Sequence, residues 1–538
     1  MIPKFIGRDC ELSASGFDHQ GRPLSQTSVT QHLLDSLRQA LAKIDLRVWS
    51  AQPRESVSRY AADCSRQWLE NGMCFYSDQS HPECCSGELL SPRQFAASSF
   101  AMLHVAELAR SCAEAEAEPG TRYHITAANA DTADPAISWG SHLNVSVSKP
   151  LWEGLFVDVQ RPALLNYVAS VMAAAIAFFG SGLLLTWPNG DVVYSTSARA
   201  HQIRRLSTHS TMQAYGRGLL NTRREAHAQS LDRLHLIPFD YTLLGAAPLA
   251  SLLQCALAAA EEGHCPVSLL EPVSALHAWS FGLNAQTHRI DSTARLVDGR
   301  CVKLAGYMRQ LAQDLLVMVE KRQIPAEIAP EADYFLPQII ELCDALEIGD
   351  LPFCARRLDW AAKLMVLLDL SNEPGVRWGD AKMRLADHDF THTDPQRGAI
   401  WRLWDEDLVD PQVTGELVEQ FVRQAPSDGR GWARGQLIQR FCDQISDVNW
   451  DHVELRCGLD RWSPRVRVEM PDPESLSRAE FAAVLDRSHD VHELIRRLSR
   501  PRGSGTDVTD VDPLVSMPHY LATEHAVDDR LGYSRRDS

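Results

Sequence analysis

The spacing of apolar residues switches between strand and helix periods along the chain. Phe5 to Leu12, FIGRDCEL, predicts a short strand with Asp9 and Glu11 on one face and Arg8 and Cys10 on the other. Val29 to Ile44 predicts a helix with Leu33, Leu34, Leu37 and Leu41 on one stripe, and Ser91 to Ala117 a second helix. Asn71 to Ser86, NGMCFYSDQSHPECCS, opens with an Asn-Gly turn followed by strand character, so that Tyr76 and Asp78 point the same way. Pro82 is expected to end that ladder for want of an N–H, delivering Glu83 from a bend beyond the strand. Tyr123 to Val147 reads as strand ends around a polar loop, with His142 and Asn144 on one face.

Leu164 to Leu185 is uncharged and approaches the roughly 20 apolar residues of a membrane span. Gly180-Ser181-Gly182 interrupts it and Trp187-Pro188-Asn189-Gly190 follows as a turn. The pattern therefore predicts a buried helix to about Phe179, a glycine turn, and a buried strand through Thr186. Further helices are expected over Leu243 to Glu262, most of Arg289 to Leu351, Asp359 to Leu370, and Val484 to Arg500. Trp378 to Asp394 reads as loop, and Trp450 lies in a turn leading into a strand. Pro501 to Gly505 marks a junction before a weakly ordered tail or docking segment. The expected division is 1–413, a small C-terminal domain over 414–500, and the tail 501–538.

Composition narrows the function classes. The chain has 538 residues and a formal net charge of −17, which argues against a general nucleic-acid binder, whose footprint is basic. Any acidic ligand needs a locally basic groove. Thirteen cysteines without a CxxC pair, and no secretory signal at Met1 to Cys10, predict reduced thiols in the cytoplasm and no membrane anchor.

The candidate chemistry is acidic. Asp9 and Glu11, side by side on a strand, are either solvated or held by a hard cation such as Mg²⁺. Arg199 lies near a strand end, and Asn221, Arg223, Glu225 and His227 alternate within RGLLNTRREAHAQSLDRLH. Arginines so placed either grip phosphate bidentately or form surface ion pairs.

Eight of these segments, in order, resemble the Pup ligase and Pup deamidase/depupylase family of glutamine-synthetase-like carboxylate-amine ligases. IGRDCEL is similar to the family's G-T/I-E-x-E, and NGMCFYSDQSHPE to N-G-A-R-x-Y-x-D-x-x-H-P-E. WGSHLN is similar to Y-G-S-H-E-N, SARA to S-Q-R-A, and NTRREAH with RLH to N-T-R-D-E-P-H with R-L-H. DWAAKL, ARGQ and NWDHV are similar to D-W-V-A-K-L, F-R-G-R and x-W-D-S-V. The resemblance covers roughly residues 5–465, and the spacing from Asp78 to Glu83 resembles the depupylase subgroup.

The resemblance implies an α+β fold in which a curved antiparallel sheet cradles ATP and helices pack on it, with a small C-terminal domain. It implies ATP and Mg²⁺ as cofactors and a Pup-like protein modifier as partner. Asp78 would be the base or nucleophile, and Asp9, Glu11, Tyr76 and Glu83 would hold metal. Ser86, Arg199, Arg223, Arg434 and Trp450 would contact nucleotide, and His81, His142, Asn144 and His227 would orient. The implied reaction is hydrolysis of a terminal glutamine amide or of an isopeptide bond. The alternatives are ligation through a glutamyl phosphate and a non-catalytic binding relative. Asp9, Cys74 and Leu143 depart from the family's Glu, Arg and Glu, and Arg224-Glu225-Ala226 from D-E-P.

Overall fold

The computed structural model describes residues 1–51, 66–134, 136–158, 160–187, 189–211, 216–460, 462–499 and 521–523. Its strands are β1 (Ile6–Glu11), β2 (Ser13–Phe17), β3 (Val48–Ser50), β4 (Gln67–Leu69), β5 (Cys74–Asp78), β6 (His81–Cys85), β7 (Arg122–Thr126), β8 (Ser141–Val147), β9 (Leu183–Thr186), β10 (Val192–Ser195), β11 (Ile203–Thr208), β12 (Arg217–Asn221), β13 (Asp232–Leu236), β14 (Thr293–Arg295), β15 (Cys301–Lys303), β16 (Ile445–Val448), β17 (His452–Arg456), β18 (Arg465–Glu469) and β19 (Leu521–Thr523). Seven of them form one antiparallel sheet in the order β13-β8-β1-β6-β5-β4-β3. The α+β expectation is met.

Alternation along these strands makes a sheet with two unlike faces. Ile6, Cys10, Phe75, Cys84, Leu143, Val145 and Leu234 point to one side and enter the main core. Helices Pro92–Glu116, Pro162–Phe179 and Ala246–Glu261 are among those that pack into that core. The first of them starts where the sequence signals a start: Ser91 Oγ accepts the Gln94 N–H at 3.1 Å and Pro92 fills the first turn. Arg8 also points inward, its guanidinium 4.9 Å from the Phe95 ring and 4.5 Å from the Tyr241 ring, donating to Thr242 O at 2.9 Å. The desolvated cation is thus stacked and hydrogen-bonded.

The long apolar run divides as predicted, into helix Pro162–Phe179 and strand β9. The helix is long and apolar enough to cross a membrane, but 78% of it is buried in the core. Other expectations are corrected. Helix Ala381–His388 interrupts the stretch read as loop. The helix expected over Val484 to Arg500 is two, Arg478–Asp486 and Val491–Leu498, the second capped by Asp490, which accepts the Glu493 N–H at 2.7 Å. Residues 222–231 are a loop between β12 and β13, so the alternation from Asn221 to His227 is not a strand.

A second core joins the C-terminal part to the sheet. Trp49, Trp68, Cys74 and Cys85 pack with Ala433, Leu437, Ile438 and Phe441 of helix Arg430–Phe441 and with Val453, Leu455 and Phe481. Helix Gly415–Arg423, expected in the C-terminal unit, instead buries Val418, Phe421 and Val422 in the main core. Of the expected tail, the described part is β19, which adds to β18 antiparallel; 501–520 and 524–538 lie outside the described residues.

The glycine turn that ends the long apolar helix is tight. Gly182 has φ +74°, and a Cβ there would meet Tyr194 Oη at 2.2 Å. Gly182→Ala should lower stability by about 2 kcal/mol or more, from left-handed strain plus displacement of Tyr194. Urea denaturation reads this directly, and an unchanged midpoint would contradict it.

Candidate active site

Strand register places the acidic residues. On the face opposite the main core, Glu11 of β1 lies opposite Glu83 of β6, and Glu83 lies opposite Tyr76 of β5. Asp78 ends β5 opposite His81, so Pro82 does not end the ladder: it sits within β6, opposite Ser77, and Glu83 is a strand residue. Two residues, Gln79 (φ 49°) and Ser80 (φ 70°), make the turn between these strands. Positive φ at both positions matches the right-handed twist of a two-residue hairpin. Thr30 Oγ1 donates to Ser80 O at 2.6 Å and Thr27 Oγ1 to Ser80 Oγ at 3.0 Å, so a neighbouring helix holds this strained turn.

Carboxylate oxygens of Glu11, Asp78 and Glu83 lie within 4.8 Å of one another. Two such charges 4 Å apart cost about 4 kcal/mol near a protein surface, so three cannot all stay ionised uncompensated. Burial raises the Glu83 pKa well above the ordinary carboxylate value, and the charges of Asp9 and Glu11 add to it. Burial and then Glu11 raise Asp78 as well. Gly140 N–H donates to Glu11 Oε2 at 2.6 Å, fixing that side chain. A group of hard oxygen donors whose mutual repulsion a cation would relieve fits Mg²⁺.

Asp9 stands outside this trio, though its charge reaches Glu83. Its carboxylate accepts from Asn144 Nδ2 at 2.7 Å and lies 3.3 Å from His142 Nδ1 and 3.9 Å from His235 Nε2. Asp9, His142 and His235 form a neighbouring three-donor cluster. Burial pushes Asp9 up, but His142, by charge and hydrogen bond, and the charge of Arg233 outweigh it and hold the carboxylate below its ordinary range. Burial beside His142 lowers His235 to about 3, so its imidazole is neutral.

Asp9, Asp78, Glu83, His142 and His235 floor an open groove of about 340 Å³, walled by Arg66, Arg223, His227, Arg233, Arg430 and Trp450. Arg223 reaches Glu225 at 2.7 Å and remains 40% exposed. His227 lends its carbonyl to Arg430 at 2.6 Å. Ser86 Oγ is taken up by backbone, accepting from Arg8 N at 2.9 Å and donating to Gly87 O at 2.9 Å.

Two expected phosphate contacts do not line the groove. Arg434 is fully buried and donates to Glu88 at 3.1 Å and to Trp450 O at 3.0 Å. Its guanidinium lies 5.1 Å from the Trp450 ring and 4.9 Å from Trp68, so it positions Trp450. Arg199 is also fully buried, donating to Ile237 O at 2.6 Å, with Nε and Nη2 unpartnered among the described residues. Burial, then Arg217, lowers its pKa to about 9.

The departures at Leu143 and Cys74 resolve differently. Leu143 is on the core face, away from the groove. Cys74 is buried in the second core, where burial pushes its thiol up to about 12 despite the nearby Arg66 charge. Arg66, 5.4 Å from the Tyr76 ring, brings positive charge to this end of the groove. Arg66, Glu88, Arg233, His235 and Arg430 were not among the predicted site residues. The i, i+2 spacing of Arg233 and His235 is the signal that places both on the groove face.

The profile of the Pup-ligase protein family matches residues 6–454. The Pup deamidase/depupylase of Mycolicibacterium smegmatis is 27% identical over 461 residues, covering 84% of this chain and 86% of the relative. The Pup–protein ligase of Xylanimonas cellulosilytica is 27% identical over 414 residues, covering 74% and 86%. The fold is similar to that of the ligase PafA in its complex with the prokaryotic ubiquitin-like protein Pup, with a TM-score of 0.70 at 18% identity over 94% of this chain and 99% of the other. PafA in complex with ADP gives a TM-score of 0.66 at 20% identity, over 80% and 91%. With the profile matched over most of its length, the chain belongs to the Pup-ligase protein family.

Proposed function

We propose that this chain is a cytoplasmic ATP- and Mg²⁺-dependent enzyme of the depupylase type, hydrolysing a terminal glutamine amide or an isopeptide bond of a Pup-like modifier. The observation that carries the reading is the convergence of Glu11, Asp78 and Glu83 on one sheet face, beneath a groove with basic walls. The similarity to depupylases and the spacing from Asp78 to Glu83 favour hydrolysis over ligation.

Each group has work that its position supports. Bound at Glu11 and Glu83, Mg²⁺ would neutralise phosphate charge and polarise oxygen. Tyr76 faces Glu83 across the β5–β6 pair and works against the burial that raises its carboxyl. Asp78, at the hairpin end and raised by burial and by Glu11, takes the proton of an attacking water. The water oxygen bonds to the glutamyl carbonyl carbon, the C–N bond breaks, and the proton passes to the departing amine. Trp450 offers an aromatic face for the base, held by Arg434 and by an edge contact with Trp68 at 4.7 Å. Arg223, Arg233 and Arg430 bring positive charge to phosphate or to acidic modifier residues.

Mass spectrometry of a Gln-terminated modifier incubated with enzyme, ATP and Mg²⁺ tests the reaction. A loss of ammonia with gain of water is expected, and conjugation to an amine without hydrolysis would favour the ligase reading. Asp78→Asn should lower turnover by about 10²-fold or more while ADP affinity is kept. Unchanged turnover would remove Asp78 from the chemistry.

The raised carboxyls set a pH dependence. Mg²⁺ needs Glu83 and Asp78 deprotonated, so its affinity should rise as pH climbs through their raised range, with protons released on binding. The metal-free protein should show the opposite trend. A carboxyl whose folded pKa is raised stabilises the fold below its unfolded pKa and loses that contribution as pH rises through the folded one. Calorimetry in buffers of differing ionisation enthalpy should show the proton release shrink in Glu83→Gln; an equal release would contradict the assignment.

A further inference from the structure

We infer that His124, His388 and Asp389 form a second metal site, apart from the acidic cluster, that takes a divalent transition ion of the Zn²⁺ kind. One donor atom from each lies within 4.8 Å of the others. His124 Nε2 is 2.6 Å from Asp389 Oδ1, and His388 Nδ1 is 3.7 Å from the same oxygen. Two imidazole nitrogens with one carboxylate suit borderline ions such as Zn²⁺, whereas the all-oxygen group of Glu11, Asp78 and Glu83 suits Mg²⁺. The two sites therefore select different cations.

The surroundings are those of a metal site. His388 Nε2 is engaged by Ser13 Oγ at 3.1 Å, which leaves Nδ1 as the nitrogen facing Asp389. Arg397 holds Asp389 Oδ2 at 3.2 Å and leaves Oδ1 to the imidazoles. Such outer contacts fix tautomer and ring direction. A third imidazole, His392, packs across His124 at 4.6 Å between ring centroids and is fully buried. Its Nδ1 accepts the Asp394 N–H at 2.9 Å, so Nε2 carries the hydrogen and has no partner among the described residues. An entry path exists: a shallow hollow of about 320 Å³, lined by Ser15, Arg122, His124, Leu385, His388 and Arg397, opens on the cluster. The side chains of His124 and His388 keep 16% and 18% exposure and that of Asp389 13%.

The elements joined give the ion a role. His124 belongs to β7, and His388 and Asp389 to the end of helix Ala381–His388 and the turn after it. Ser13 starts β2, one residue beyond β1, which carries Glu11. An ion here clasps the segment 381–391 to the β2–β7 pair and, because it binds only the folded protein, raises stability.

The test is equilibrium dialysis of the full chain, stripped with chelator and then exposed to Zn²⁺ with excess Mg²⁺ and ADP. Wild type should hold one Zn²⁺ more per chain than the His124→Gln/His388→Gln double variant, and Zn²⁺ should raise the thermal midpoint of wild type alone. Ser13→Ala should keep the site but weaken it by about 10- to 100-fold. A His235→Gln control, altering the other histidine-containing cluster, should retain the ion. Equal Zn²⁺ in wild type and a folded double variant, or loss in His235→Gln, would leave only a hydrogen-bonded His–Asp–His network and overturn the site. Should the double variant not fold, X-ray absorption of the wild-type Zn²⁺ complex decides. Two imidazoles at about 2.0 Å, reduced to the background level in Asp389→Asn, support it, and an all-oxygen or sulfur shell overturns it.

Discussion

Like charge held together by backbone pairing is the constraint from which the rest of this structure follows. The β1–β6 register sets Glu11 against Glu83, the β5–β6 register sets Glu83 against Tyr76, and the hairpin at Gln79-Ser80 brings Asp78 to the same place. A slip of one residue would turn all of these side chains into the apolar core. The core thus enforces the repulsion: helices Pro92–Glu116 and Ala246–Glu261 bury the opposite face and lock the register. Neutralisation is left to protons, raised Glu83 and Asp78 being the sign, or to a cation.

The walls answer the floor. A chain of net charge −17 nonetheless gathers Arg66, Arg223, Arg233 and Arg430 around one groove. Glu88 fastens this wall, taking Arg430 at 2.7 Å and Arg434 at 3.1 Å, and the two arginines outweigh burial to bring its pKa down to about 2. Through Arg434 the same contact fixes Trp450. The C-terminal elements and the sheet therefore meet at the groove through one buried charge network and one apolar core. Removing Glu88 would leave two buried guanidinium groups uncompensated, the costly kind of loss for such a pair.

Much of this was legible in the sequence where the signal is local. Period and glycine placement divide Leu164 to Leu185 correctly, because a charge-free run broken by Gly180 and Gly182 leaves a helix and a strand as its parts. Asp9 and Glu11 share a face because strand geometry leaves no alternative. The hairpin was not legible: Gln79-Ser80 has neither Asn nor Gly, and its left-handed backbone is held by Thr27 and Thr30 from a distant helix. Arg199 and Arg434 were expected at nucleotide because the SARA and ARGQ segments resemble the family's motifs. Their burial depends on carbonyls and rings far along the chain, which no local pattern reports. Asp9 meets His142 and Asn144 for a similar reason: the β1–β8 register sets His142 opposite Asp9 and Asn144 opposite Gly7, two residues away.

The central claim is that the groove floor is a cation site made by strand register. Crystals of the protein grown with Mn²⁺ and ADP, measured at the manganese absorption edge, test it most directly. The predicted result is an anomalous peak in direct contact with the carboxylates of Glu11 and Glu83, with the ADP phosphates facing it and adenine near Trp450. Nucleotide bound in the groove with no anomalous peak at Glu11 and Glu83 would contradict it.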